Sequence, residues 1–289
     1  MDAAERGDGG AVVIGAPATA LTTLDGSPLT PLGIGARPGQ DRRCPIEAFE
    51  GGINLFYLYG RDEEPLRLAM RAAARRNRRG VFLAAGSERR EPAALRAEID
   101  AVRRELATEA LDLFFAQYFT PQEDEAALFG PDGTIAALQA ARGEGAIRFT
   151  GASAHERGLA LRLVEDRRID VVMLRFNMAH RKAAAEVFPA AQQARTPVVA
   201  FTATRWRTLL AAPAEWPGPP PTAADCYRFC LAHRPVKIVL TAPTSLAELA
   251  ANLRVLDAGP MDRRERARWK RYGDLIHGRG ADRFETEWP

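Results

Sequence analysis

Eight short runs of aliphatic and aromatic residues punctuate the chain: PLGIGA (31–36), INLFYLY (53–59), VFLAAGS (81–87), LDLFFAQY (111–118), IRFTGAS (147–153), VVMLRFN (171–177), PVVAFTAT (197–204) and KIVLTAP (237–243). Several are apolar on consecutive rather than alternate positions, the pattern of parallel strands covered on both faces. Between them lie segments with apolar residues at helical spacing: EPLRLAMRAAARRNRR, EPAALRAEIDAVRRELA, TIAALQAARGEG, RGLALRLVEDRR, KAAAEVFPAAQQA, TAADCYRFCLAH and SLAELAANLRVL. Strand and helix alternate throughout, which predicts an α/β fold built on a parallel sheet. Eight such units are best closed as a (β/α)8 TIM barrel, with an open doubly wound sheet as the weaker alternative.

A chain of 289 residues is long enough for two average domains, but α/β barrels of roughly 250 residues form one. The expectation is therefore a single domain over 1–289. The barrel occupies about 31–260, after a mobile N-terminal segment at 1–12. The stretch DRRERARWKRYGDLIHG is read as an appended C-terminal helix, which with a polar tail fills 261–289. The longest connections are FTPQEDEAALFGPDG after the fourth run and RWRTLLAAPAEWPGPPP after the seventh, and both belong at the C-terminal mouth of the barrel.

Charge narrows the partners. Forty Lys and Arg against 37 Asp and Glu leave a formal charge of +3, and the basic residues are scattered over helical faces, which argues against nucleic acid. The three cysteines lack CxxC spacing; Cys226 and Cys230 sit four apart on a helical segment and read as small core residues. No apolar run reaches the length of a membrane span, and MDAAERGDGG has neither the basic nor the apolar region of a signal peptide. A cytoplasmic protein without membrane contact is expected.

In a barrel of this kind the C-terminal ends of the strands line the active site, where a small-molecule substrate or ligand would bind. Here they supply Tyr57, Tyr59, Gly86, Ser87, Gln117, Tyr118, Ser153, His155, Arg175, Asn177, Thr202, Thr204, Arg205, Thr241 and Thr244. This mouth is rich in phenols, amides and hydroxyls and poor in carboxylates. A metal centre needs three or four ligands, and only His155 and His180 offer themselves, so no metal is expected. Paired-carboxylate glycoside hydrolysis is excluded because no strand end supplies Asp or Glu. No GxxxxGK[ST] phosphate loop is present, and GIGARPG lacks the helix and distant acidic residue of a dinucleotide fingerprint. His233 and His277 read as helix-surface residues.

Five segments in order resemble the aldo-keto reductase superfamily. GGINLFYLYG resembles its second strand, a Gly-Ile-Asn-Phe-Phe-Asp-Thr-Ala run leading to Tyr-Gly; LDLFFAQY is similar to its fourth, and EGAIRFTGASAH to the lead into its fifth. IDVVMLRFN resembles the sixth strand, and TAPTSLAELAANL the cofactor-binding Gly-x-x-x-x-x-Gln-Leu-x-Glu-Asn segment. RFNMAHRKAAAEVFP, FTATRW and DCYRF further resemble a divergent bacterial subgroup. The resemblance implies a (β/α)8 barrel, NADP or NAD across its mouth, and hydride transfer to a small aldehyde or ketone.

The family's tetrad of Asp, Tyr, Lys and His uses Tyr as proton donor, with its pKa lowered by Lys. Carried over, Asp falls at Tyr57 or is lost in a short deletion before Tyr59, Tyr falls on Tyr59, Lys on Gly86 and His on Gln117, so Tyr59 alone is retained. Arg175 or Arg205 would then supply the missing cation. The candidate catalytic set is Tyr59, Gln117, Arg175 and His180. The cofactor set implied by the resemblance is Ser153 for the carboxamide, Phe201 for stacking, Thr202 and Arg205 on the following turn, and Thr244 and Asn252 around the adenosine. The altered tetrad keeps two alternatives to a reductase open: a non-redox enzyme such as a lyase, cyclase or dehydratase, and a non-catalytic ligand-binding protein.

Overall fold

The computed structural model describes residues 20–59 and 63–277. The N-terminal segment at 1–12 and the polar tail beyond 277 lie outside the described residues. Eight parallel strands, β1 (Leu32–Ile34), β2 (Leu55–Tyr59), β3 (Phe82–Ser87), β4 (Leu111–Phe119), β5 (Ile147–Ala154), β6 (Val171–Arg175), β7 (Val198–Phe201) and β8 (Val236–Thr241), close in sequence order into a barrel. This is the (β/α)8 architecture expected from the alternating pattern.

Each strand is apolar on both faces because each face meets a different core. Inward residues Leu55, Phe82, Leu113, Phe115, Val171, Met173, Val199 and Ile238 fill the barrel. Outward residues such as Phe56, Leu83, Phe114, Val172 and Val239 pack under the helices. Large and small inward side chains interlock: a Cβ on Gly151 would lie 2.5 Å from the Phe115 ring, so Phe115 takes the space that Gly151 leaves.

The helices are α1 (Cys44–Glu50), α2 (Glu64–Asn77), α3 (Pro92–Leu106), α4 (Glu125–Phe129), α5 (Thr134–Gly143), α6 (Arg157–Glu165), α7 (Ala183–Glu186), α8 (Phe188–Ala194), α9 (Ala223–Leu231), α10 (Leu246–Asp257) and α11 (Arg263–His277). The segment 182–194, expected as one helix, is two, because Pro189 has no N–H to continue the first and instead starts the second. The short helices α1 and α4 carry too few turns for their periodicity to be read from sequence. Helix α9 starts where Thr222 and Asp225 form a reciprocal capping box. His233, expected on a helix surface, instead lies edge-on to Phe176 at 4.7 Å and close to Phe188 and Phe229.

The appended helix α11 ties down the connections that follow β6 and β7. Arg181, after β6, donates to the Lys270 carbonyl at 3.2 Å and pairs with Asp274. The Tyr272 hydroxyl lies 2.9 Å from the carbonyls of Leu209 and Ala211, after β7. Trp216, on the same connection, stands edge-on to Tyr272 at 5.0 Å. The crossing is closest at Gly273, where any Cβ would fall inside contact distance of the Met178 carbonyl. Gly273→Ala is expected to destabilise the fold by about 1–3 kcal/mol, the usual cost of overpacking, read as a lower urea midpoint at unchanged m-value.

Candidate active site

Alternation along the strands sends Tyr57, Tyr59, Gly86, Gln117, Ser153, Arg175 and Phe201 to the upper interior of the barrel. Register places Tyr57 beside Ala84, Tyr59 beside Gly86, Ser153 beside Met173 and Arg175 beside Phe201. The buried Gln117 amide donates to the buried Tyr57 hydroxyl. A Cβ on Gly86 would lie 2.6 Å from Gln117 Cγ and closer still to its amide nitrogen, so Gln117 occupies the volume that any side chain at position 86 would need. Tyr57 also meets Phe115 edge-on at 5.8 Å, and burial pushes its pKa well above the ordinary phenol value. Tyr57 and Gln117 therefore form a neutral pair that fills the barrel from within.

Tyr59 stands above that pair. Its ring stacks on Tyr57 at 6.5 Å, with 39% of the residue open to solvent. Its hydroxyl donates to the Glu88 carboxylate, and its backbone N–H donates to Glu63 Oε2 at 3.2 Å. The mouth is thus not poor in carboxylates around this residue, as the strand ends alone had implied: Glu88 directly follows β3, and Glu63 directly precedes α2. Burial, the Glu88 hydrogen bond and the negative charge of both glutamates raise the Tyr59 pKa. Burial also pushes Glu63 up to about 7, against the opposing pull of the Tyr59 amide and Arg67.

Arg175 and Arg205, the two candidates for the missing cation, stand in different surroundings. Arg175 places its charge on His155 and Tyr118. Arg205 is buried, with Nη1 3.5 Å from the Ile276 carbonyl at the C-terminal end of α11, where a helix favours a cation. His155 lies between Tyr118 and Phe201, at 4.6 and 5.5 Å, and burial together with Arg175 lowers its pKa to about 4. The buried His180 has Nδ1 3.1 Å from Asn177 Oδ1, which accepts from the backbone N–H of Ala179 and His180 as well. An amide oxygen only accepts, so Nδ1 is the protonated nitrogen.

The residues of the expected cofactor set follow the mouth from β5 round to α10. Ser153 is buried at the end of β5, and Phe201 ends β7. Thr202 adopts φ of 54° and holds a buried hydroxyl without a hydrogen-bond partner. Arg205, Trp206 and Arg207 continue at 49°, 48° and 73°. Among the described residues, five of the eight non-glycine residues with positive φ, including Tyr118, are at this mouth. Each costs on the order of 1–3 kcal/mol, so the surrounding structure must enforce them. Thr244 gives both its backbone N–H, at 2.8 Å, and its hydroxyl, at 2.7 Å, to Glu248, which also pairs with Arg207 at 3.5 Å. Asn252 is 1% exposed; its amide donates to Thr241 at 3.0 Å, while its Oδ1 is buried without a partner. No group of three or more His, Cys, Asp or Glu among the described residues is placed to hold a metal ion.

The model of the aldo/keto reductase family matches residues 47–211, more than half of the chain. The chain belongs to the aldo/keto reductase family. The holo form of aldo-keto reductase AKR11C1 from Bacillus halodurans is 22% identical with a TM-score of 0.71, covering 84% of this chain and 92% of its own. An aldo/keto reductase from Klebsiella pneumoniae, in complex with NADP and acetate, is 17% identical with a TM-score of 0.66, covering 87% and 94%. No curated protein sequence matches the chain.

Within the aldo/keto reductase barrel, the structure brings Tyr59 and Gln117 together through Tyr57, and His155, Arg175 and His180 around the ends of β5 and β6. It sets Arg205 apart, under α11. Sequence reasoning overlooked Glu63 and Glu88, because a survey of strand ends stops one residue short of Glu88. The large residue at 117 and the glycine at 86, on neighbouring strands, were the available sign that one fills the space of the other.

Proposed function

We propose that the chain is a nicotinamide-linked oxidoreductase acting on a small aldehyde or ketone, with Tyr59 as the proton-transfer group and Glu88 as its partner. The observation that carries this reading is the Tyr59–Glu88 hydrogen bond at the solvent-open end of the barrel. Family membership and the NADP-bound neighbour support the cofactor class. The residues present fit such a group: Phe201 offers a ring face, and Thr202 Oγ1 and Asn252 Oδ1 are buried polar atoms awaiting partners. Ser153 and Phe201 would hold the nicotinamide, Thr202 the part beside it, and Thr244 and Asn252 the adenosine end. The bound nicotinamide would supply or accept the hydride.

The chain's own part is the proton. In reduction, Tyr59 gives its hydroxyl proton to the carbonyl oxygen and regains one from the solvent to which it is 39% open. In oxidation, Tyr59 takes the alcohol proton as it passes its own along the hydrogen bond to the Glu88 carboxylate. A carboxylate raises the phenol pKa where the family's ammonium would lower it, so this arrangement favours reduction in acid and oxidation in alkali. Glu63 adds to the effect: it is neutral below about 7 and negative above. Reductive kcat is therefore expected to fall as pH rises through about 7, and Glu63→Gln is expected to flatten that limb of the pH profile.

Glu248 bears on cofactor choice. Burial opposes its charge, but the hydrogen bonds from Thr244 and the nearby Arg207 outweigh it and hold the carboxyl below its ordinary range. A carboxylate at this position can accept from a ribose hydroxyl and repels a 2′-phosphate. NADH is expected to bind about tenfold or more tightly than NADPH, and Glu248→Lys to reverse the order, measured by titration of both cofactors.

One observation favours the second reading, a non-redox enzyme or ligand-binding protein. Gln117 fills the space in which the family's lysine would stand. Carbonyl-dependent oxidation of NADH across a panel of short aldehydes and ketones separates the two: turnover supports the oxidoreductase, and its absence with every compound supports the second reading.

A further inference from the structure

A small cavity of about 30 Å³ opens beside the mouth, between the connections that follow β5 and β6. Its walls carry His155 and Arg157 from one side, and Arg175, His180 and Lys182 from the other, over a floor that includes Leu174. None of the lining residues is acidic. Two glutamates of the neighbouring elements have partners of their own: Glu186 pairs with Arg157, and Glu156 accepts from the backbone N–H of Gly158 and Leu159 at 2.8 and 2.6 Å. The volume suits one compact group rather than a whole metabolite.

Arg175 and Lys182, with two imidazoles and the Glu186-paired Arg157 beside them, make a pocket of this size a site for a single oxyanion. Arginine supplies forked donors matched to carboxylate and phosphate oxygens, and the flexible lysine closes the open side. Arg175 is shared, because it ends β6 in register with Phe201 and so reaches both the mouth and the cavity. Burial first, and the field of Arg175 second, keep His155, against the same wall, from protonating. An incoming anion would offset that field.

We propose that this cavity is an oxyanion-binding site that takes a phosphate or carboxylate group. Where the anion is carried by the substrate, the inference rests on the oxidoreductase reading and narrows its substrates to small anionic carbonyl compounds. Where it is a free ion, the site stands independently of that reading.

Inorganic phosphate is the probe, titrated into the full chain against chloride at constant ionic strength, with the His155 and His180 ring protons followed by NMR. The expected result is saturable movement of both resonances and a rise in the His155 pKa. Arg175→Met should abolish the movement, and Lys182→Met, an exposed position that leaves the fold intact, should weaken binding about tenfold, the loss of one charge-assisted contact. Absent or non-saturating movement, or binding unchanged in Lys182→Met, would overturn the site.

A second arm compares glyceraldehyde 3-phosphate with glyceraldehyde as substrates. Preference for the phosphorylated compound, reduced by Lys182→Met with glyceraldehyde turnover unchanged, assigns the site to the substrate. Equal turnover with phosphate still bound overturns that assignment and leaves a free-anion site. Phosphate binding without turnover of any aldehyde counts against the oxidoreductase reading and not against the site.

Discussion

Replacing Asp112 with alanine is expected to lower the unfolding free energy by about 2–4 kcal/mol, the cost of removing a buried carboxylate from a buried amide and two half-buried guanidinium groups. Asp112 is fully buried at the start of β4. Its Oδ2 accepts from the Leu83 N–H at 2.7 Å and pairs with Arg78 at 2.9 Å, while Oδ1 pairs with Arg148 at 2.5 Å. Arg78 also donates to the carbonyls of Val81 and Ala110, and Arg148 to that of Thr22. One carboxylate thus fastens β3, β4 and β5 at the end of the barrel opposite the mouth. Alanine strands an amide and two guanidinium groups together, so the losses reinforce one another. In a thermal melt the midpoint should drop on the order of 10 °C. A change of only a degree or two would show that solvent, and not the carboxylate, satisfies those arginines.

Tyr59→Phe is expected to reduce kcat/KM for carbonyl reduction about 10²–10⁴-fold, the usual contribution of a positioned proton donor. The residue is partly open to solvent and its hydroxyl donates to the exposed Glu88, so the melting temperature should barely move. That separation is informative. If Tyr59 merely closed the top of β2, the substitution would leave turnover intact, because phenylalanine keeps the ring that stacks on Tyr57.

The barrel was legible because its strands are doubly buried, and double burial writes itself as consecutive apolar residues. Even so, the run VVMLRFN overshoots: β6 ends at Arg175, and Asn177 turns away to give its side-chain amide to the Thr202 carbonyl at 3.0 Å. PVVAFTAT overshoots in the same way, because Thr202 turns into the left-handed region and ends β7 at Phe201. Pattern reading has no means of seeing a backbone reversal made by threonine rather than glycine.

The site was less legible for a related reason. Its residues could be placed at strand ends by counting, but their partners come from across the barrel or from the first loop residue. Gln117 reads as a group for substrate until Gly86, on the next strand, is seen to leave it room to reach Tyr57. Tyr59 reads as a phenol awaiting a cation until Glu88 and Glu63 fold over it. Arg205 reads as a mouth residue until α11, far along the chain, draws it beneath the Ile276 carbonyl.

Titrating the protein with NADH tests most directly the proposed binding of a nicotinamide cofactor at this mouth. Trp206, 62% exposed on the turn that follows Phe201, is a built-in donor for energy transfer to the nicotinamide. Saturable quenching with sensitised nicotinamide emission, weakened by Phe201→Ala, is the expected result. No saturation up to about millimolar NADH or NADPH, where association is worth only about 4 kcal/mol, would contradict it and leave a barrel turned to other chemistry.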